Sequence, residues 1–168
     1  LDGVLQGTSG ALGASPVTNG VDFRFGSRFD DQYERRLKGA IDDLAFYDAQ
    51  LTSGEIVSLG GTGAALTATG ANLVAHWDLD SAGGSDSELD NVGGLTLHAG
   101  SSLGNETQGP VVTAGGGPAA LGSPNHIDFQ EDSQRNYIEV ADDASLDGLG
   151  TSGSFVSWVK LDDNYENQ

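Results

Sequence analysis

Leu73-Val74-Ala75-His76-Trp77-Asp78-Leu79-Asp80 alternates residue by residue. On an extended backbone successive side chains point to opposite faces, so a period of two marks a strand with one face in a core. The pattern predicts Leu73, Ala75, Trp77 and Leu79 on one face and Val74, His76, Asp78 and Asp80 on the other. Upstream, Gly39-Ala40-Ile41-Asp42-Asp43-Leu44-Ala45-Phe46-Tyr47 sets Ile41, Asp43, Ala45 and Tyr47 against Asp42, Leu44 and Phe46. Bulk on both faces suits a strand in the middle of a sandwich. Further out, Val21, Phe23 and Phe25 share one face of another strand, and short strands are predicted over 95–98, 126–129, 137–140 and 155–160. One short helix is expected over 52–59, where Thr52 or Ser53 can cap a first turn containing Glu55, with Gly60-Gly61 ending it. Residues 81–94 read as a Gly/Ser/Asp loop and 101–118 as loosely polar chain. Many short strands separated by turn signals predict an all-β antiparallel sandwich or jelly roll.

Composition narrows the functions. The 168 residues carry 25 Asp and Glu against 7 Lys and Arg, a formal net charge of −18. Like charge repels nucleic acid and anionic membrane surfaces, and no basic patch is present to release counterions, so neither is an expected partner. No apolar run approaches the roughly 20 residues of a membrane helix, so no membrane insertion is expected. There is no cysteine, which excludes disulfides, thiolate catalysis and zinc–thiolate sites. The chain opens on Leu1-Asp2-Gly3 and has no methionine, as expected of a segment from a longer protein.

Several stretches, taken together, resemble the laminin-G-like, concanavalin-A-like jelly-roll family of bacterial extracellular proteins. Residues 39–47 followed by Ala49-Gln50-Leu51-Thr52 and Glu55-Ile56 resemble the family's closing strand, turn and small helix. Residues 73–80 resemble its opening strand, Asp90-Asn91-Val92-Gly93-Gly94 with Leu95-Thr96-Leu97 the turn and strand after it, and 137–140 with 155–160 the next two strands. The closing pattern thus precedes the opening one. The resemblance implies that residues 1–60 are the C-terminal part of one laminin-G-like domain, 61–70 a linker, and 71–168 the N-terminal part of a following domain. The alternative is a permuted sandwich in which the two parts join, completed by neighbouring sequence. Either way, apolar strand faces must find partners outside their own part.

The same resemblance implies a secreted or cell-surface location and a non-catalytic module of a large repetitive protein, used for adhesion or carbohydrate contact. Its expected partners are a glycan or neighbouring copies of the same protein. A structural repeat of an extracellular fibre, held by inter-subunit β-sheet contacts, is the alternative, and a glycoside hydrolase the least supported class. Such an enzyme needs two carboxylates flanking one bond. Glu139 stands alone on its strand, and Asp42 and Asp43, being adjacent, are expected to point to opposite faces.

Asp42 and Asp90 match recurrent acidic positions of the family, and calcium, which takes six to eight oxygens, is the cofactor they imply. The competing reading has both carboxylates accepting from loop amides. Asp78, Asp80 and Gly83 fit the first, third and sixth places of a helix-loop-helix calcium loop, but the twelfth falls on Leu89. His76, His98 and His126 have no metal-ligand spacing and read as surface or half-buried histidines. Trp77, Trp158, Tyr137 and Tyr47 lie in strand patterns and read as core, whereas Tyr33 and Tyr165, in polar loops, are the candidates for exposed contacts. No ligand-binding set follows from the sequence.

Overall fold

The computed structural model describes residues 20, 22–26, 37–62, 73–80, 87–89, 94–101, 110–115, 125–129, 136–147 and 153–162. In chain order these form β1 (Phe23–Phe25), β2 (Gly39–Tyr47), α1 (Ser53–Thr62), β3 (Leu73–Trp77), β4 (Ser87–Leu89), β5 (Thr96–Ser101), β6 (Val111–Ala114), β7 (Asn125–Phe129), β8 (Asn136–Val140), α2 (Ala144–Asp147) and β9 (Ser154–Leu161). Every described pairing is antiparallel. One sheet has the order β1-β8-β5-β4, and the other holds β3-β2-β7-β6 with β9 added to β2.

The fold is an all-β antiparallel sandwich, as the alternation predicts. Its core draws Ile41, Leu44, Phe46, Ala75, Trp77, Ile127 and Phe129 from one sheet and Leu97, Ile138 and Val140 from the other, all nearly inaccessible. Strands from both sides of residues 61–70 pair within each sheet: β1 with β8, and β2 with β3, β7 and β9. The faces carrying Phe23 and Phe25 and those carrying Ala75 and Trp77 therefore pack into one common core. Of the linker, residues 63–70 lie outside the described residues.

β2 is the organising strand. β9 runs along one flank, while on the other β7 pairs with Gly39–Ile41 and β3 with Leu44–Tyr47. Between these two partners β2 bulges: Asp42 opposes Trp158 and Ala45 opposes Val156, so Asp43 and Leu44 together face the single residue Ser157. Asp43 has φ of 49°, a left-handed conformation that Asp tolerates better than most residues. The extra residue overturns the strict alternation expected here. Ile41, Leu44 and Phe46 point into the core, and Ala45 and Tyr47 join a second cluster with Leu51 and Leu59. A second irregularity between Phe46 and Tyr47 moves Leu73 to that outer cluster, away from Ala75 and Trp77.

α1 lies over this outer cluster, burying Leu59. Its N-terminus is a capping box: Thr52 N–H and Oγ1 donate to Glu55 Oε2 at 2.7 and 2.8 Å, and Glu55 N–H donates back to Thr52 Oγ1 at 3.3 Å. Those donors hold the Glu55 carboxyl below its ordinary range, the backbone N–H contributing most. The helix continues through Gly60-Gly61 to Thr62, beyond the expected stop. Three further differences concern short elements. β4 falls inside the expected 81–94 loop, β6 inside the polar 101–118 stretch, and α2 is a single turn whose Ser145 N–H is capped by Asp143 Oδ1 at 2.8 Å.

Candidate ligand site on the outer face of the five-stranded sheet

The bulge gathers polar groups that regular pairing would keep apart. Asp43 N–H donates to Asp42 Oδ1 at 3.0 Å. Asp43 Oδ1 lies 2.9 Å from His76 Nε2, and because an ionised carboxylate can only accept, the imidazole nitrogen is the donor. Asp42, Asp43 and His76 are all buried, at 2%, 9% and 6% exposure, so these contacts work in a low-dielectric setting where polar groups need partners.

Beside the bulge, where α1 no longer covers the sheet, a cavity of about 150 Å³ opens, lined by Ala40, Asp42, His126, Trp158 and Lys160 among others. The register explains the gathering. Asp42 opposes Trp158 and Ala40 opposes Lys160 across β2–β9, and Ala40 opposes Asp128 across β2–β7, which carries His126 to the same outer face. Asp42 is the buried floor, Trp158 a half-buried wall, and Lys160 stands exposed at the rim. His126 Nδ1 is buried and has no hydrogen-bond partner among the described residues. The arrangement combines an aromatic plane, an acceptor, an imidazole and a cation around one small hollow. Ligand pockets for drug-sized molecules run to roughly 300–1,000 Å³, so this hollow suits one ring of a longer ligand.

The sequence-predicted residues are distributed as follows. Asp42 is in this cavity; Asp90, Tyr33 and Tyr165 lie outside the described residues. Among the described residues no group of three or more His, Cys, Asp or Glu side chains is placed to hold a metal ion. They do not by themselves supply the six to eight oxygens of a calcium site. The acidic loop after β3 is structural: Asp80 N–H donates to Asp78 Oδ1 at 3.2 Å, while Asn125 donates from N to Asp80 Oδ1 at 3.2 Å and from Nδ2 to Asp80 O at 2.6 Å. It ties the end of β3 to the start of β7. With strands β3 and β4 at its flanks, it is not a helix-loop-helix calcium loop.

Glu139 is paired with Arg24, which donates from Nη2 at 2.7 Å and Nε at 3.1 Å and lies 3.8 Å above the Tyr137 ring. Trp77 and Tyr47 are core residues, as read, at 1% and 0% exposure. Trp158 departs from that reading. Strand alternation gives its parity but not which face is covered, and among the described residues no helix or strand packs over the face it occupies, where it is half-buried.

The segment that supplies Asp42 and the bulge also carries the family signal. Residues 1–57 match a laminin-G-type family model described as the concanavalin A-like lectin/glucanases superfamily. These residues are laminin-G-like. The match takes in 57 of the 168 residues, through β1 and β2 into the first turn of α1. No curated protein and no solved structure matches the chain. Within the laminin-G-like stretch, β2 provides the central strand on which β3, β7 and β9 of the remaining chain assemble.

Proposed function

We propose that this chain is a non-catalytic, extracellular carbohydrate-contacting module, used in adhesion by a larger surface protein, and that the glycan seats one ring in the cavity beside Trp158. The observation that carries the reading is the pairing of Asp42 with Trp158 across β2 and β9, which sets an acceptor beside an indole in a hollow of about 150 Å³. Sugar rings offer apolar C–H faces that stack on aromatics and hydroxyls that pair with carboxylate, imidazole and ammonium groups. The net charge of −18 disfavours anionic glycans, so the ligand class is a neutral saccharide. The laminin-G-like match supports the class and leaves the sugar open.

Screening the chain on an array of neutral glycans is expected to give binding that Trp158→Ala weakens at least about tenfold, the loss of roughly 1.4 kcal/mol of contact. Trp158→Phe keeps part of it. The melting temperature of Trp158→Ala should stay near that of the parent, because the side chain is only half-buried. Binding unchanged by Trp158→Ala would move the site elsewhere.

For calcium we propose the pair implied by the resemblance, Asp42 and Asp90, supported by a carboxylate only 2% exposed at Asp42. A bound ion stabilises the folded state by mass action. Calcium is then expected to raise the melting temperature by about 2–8 °C for 1–2 kcal/mol in a domain of this size. EDTA should reverse the rise and Asp42→Asn abolish it. Melting that is indifferent to calcium and EDTA removes the site.

A further inference from the structure

Pairing across β9, β2 and β7 sets side chains in rows on the outer face of the sheet, and these rows give the cavity two unlike ends. Toward α1, Ala45 on β2 opposes Val156 on β9. Ala45 is fully buried with Leu51 and Leu59, and Val156 packs against the same cluster, so this row is covered. The next row holds Trp158 on β9, Asp42 on β2 and, one step on from the Ile41–Ile127 pair, His126 on β7. The row after that is Lys160, Ala40 and Asp128. Same-face residues of one strand lie about 6.5–7 Å apart, so one uncovered row separates the cover at α1 from Ala40. The hollow of about 150 Å³ is therefore a trough closed at the α1 end.

The other end is built differently. Ala40 is the smallest side chain lining the cavity, and it lies between an exposed Lys160 and a half-buried Asp128. A low sill between a cation and a carboxylate leaves room for a chain to pass and offers its hydroxyls both a donor and an acceptor. From this we infer that the site takes the terminal ring of a neutral glycan, with the rest of the chain leaving over Ala40 between Lys160 and Asp128. An internal ring does not fit, because its chain would have to continue through the row buried beneath α1. The inference rests on the saccharide reading of this cavity and adds to it that the module recognises chain ends.

The test titrates the full 168-residue chain with linear homo-oligosaccharides of glucose, galactose, mannose and xylose, from one ring to six. In the series that binds, affinity is expected to rise from one ring to two and then stay level within about twofold. On the six-ring oligomer, opening the reducing-end ring by reduction and capping the opposite end with a bulky group are compared. One of these changes should weaken binding at least about tenfold and the other should have little effect. Asp128→Ala removes an acceptor at the sill and should cut the gain from one ring to two at least about threefold, with melting followed as the check on folding. Affinity that climbs with every added ring overturns the inference. So does an oligomer that binds undiminished with both ends altered, or a one-to-two gain that Asp128→Ala leaves intact. If binding in those cases still falls with Trp158→Ala, the saccharide reading of the cavity stands without end recognition. Absence of binding in every series, or binding indifferent to Trp158→Ala, overturns both.

Discussion

Trp77→Ala is expected to lower the unfolding free energy by about 3–5 kcal/mol, the range for deleting a large aromatic from a packed core. Trp77 is 1% exposed and sits on β3 at the heart of the main cluster. Its ring meets Phe46 edge-on at 6.3 Å, and its Nε1–H donates to the Leu95 carbonyl at 3.1 Å, tying the strand to the segment that leads into the facing sheet. Deletion removes apolar burial, leaves a cavity between the sheets and deletes the donor of that bond. Set against a total stability of about 5–15 kcal/mol for a domain, the loss leaves little margin at 37 °C. Urea unfolding should show a lower midpoint with an unchanged slope, since the surface exposed on unfolding is nearly the same. Trp77→Phe keeps most of the ring volume and should cost markedly less. A loss under about 1 kcal/mol for Trp77→Ala would be incompatible with a core position.

Gly39→Ala is the second large effect, and its cause is backbone contact. Gly39 begins β2 with φ of 136°, and a Cβ there would lie 2.0 Å from the Lys160 carbonyl oxygen and 3.1 Å from Leu161 Cα. Backbone atoms of a paired strand cannot rotate aside as a side-chain terminus can, so the Gly39–Leu161 end of the β2–β9 ladder must open. Backbone strain alone costs about 1–3 kcal/mol, and the lost pairing adds to it. Gly94→Ala is the control. Its φ of 76° carries the conformational cost, yet a Cβ there meets nothing within 4 Å. Gly39→Ala should therefore destabilise well beyond Gly94→Ala, with amide exchange accelerated over 159–161. Lys160 lines the cavity, so the glycan contact proposed there should weaken in the same variant. Equal effects of the two substitutions would mean that β9 does not approach Gly39 as described.

Alternation in 39–47, 73–80, 126–129, 137–140 and 155–160 was enough to place β2, β3, β7, β8 and β9, because a half-buried strand writes its two faces into the sequence. Thr52 and Glu55, three apart, marked the start of α1 for an equally local reason: both partners of the capping box lie within one turn. β4 and β6 were not legible. Ser87-Glu88-Leu89 and Val111-Val112-Thr113-Ala114 are too short to show a period, and it is their neighbours β5 and β7 that hold them extended.

The sequence by itself determined the sandwich class, the main strands, and the burial of Trp77 and Tyr47. Tertiary structure decided the rest. A bulge at Asp43 depends on two different strands, β7 and β3, meeting end to end along β2, and no local pattern encodes that meeting. The same bulge returns Leu44 to the core and turns the Asp43 carboxylate to His76, a residue 33 positions away. Trp158 alternates like a core residue, but among the described residues the cover over the sheet ends at α1, and Trp158 lies half-buried beside Asp42 in an open hollow. Periodicity tells which residues share a face; only the packing of one layer on another fixes which faces water still reaches.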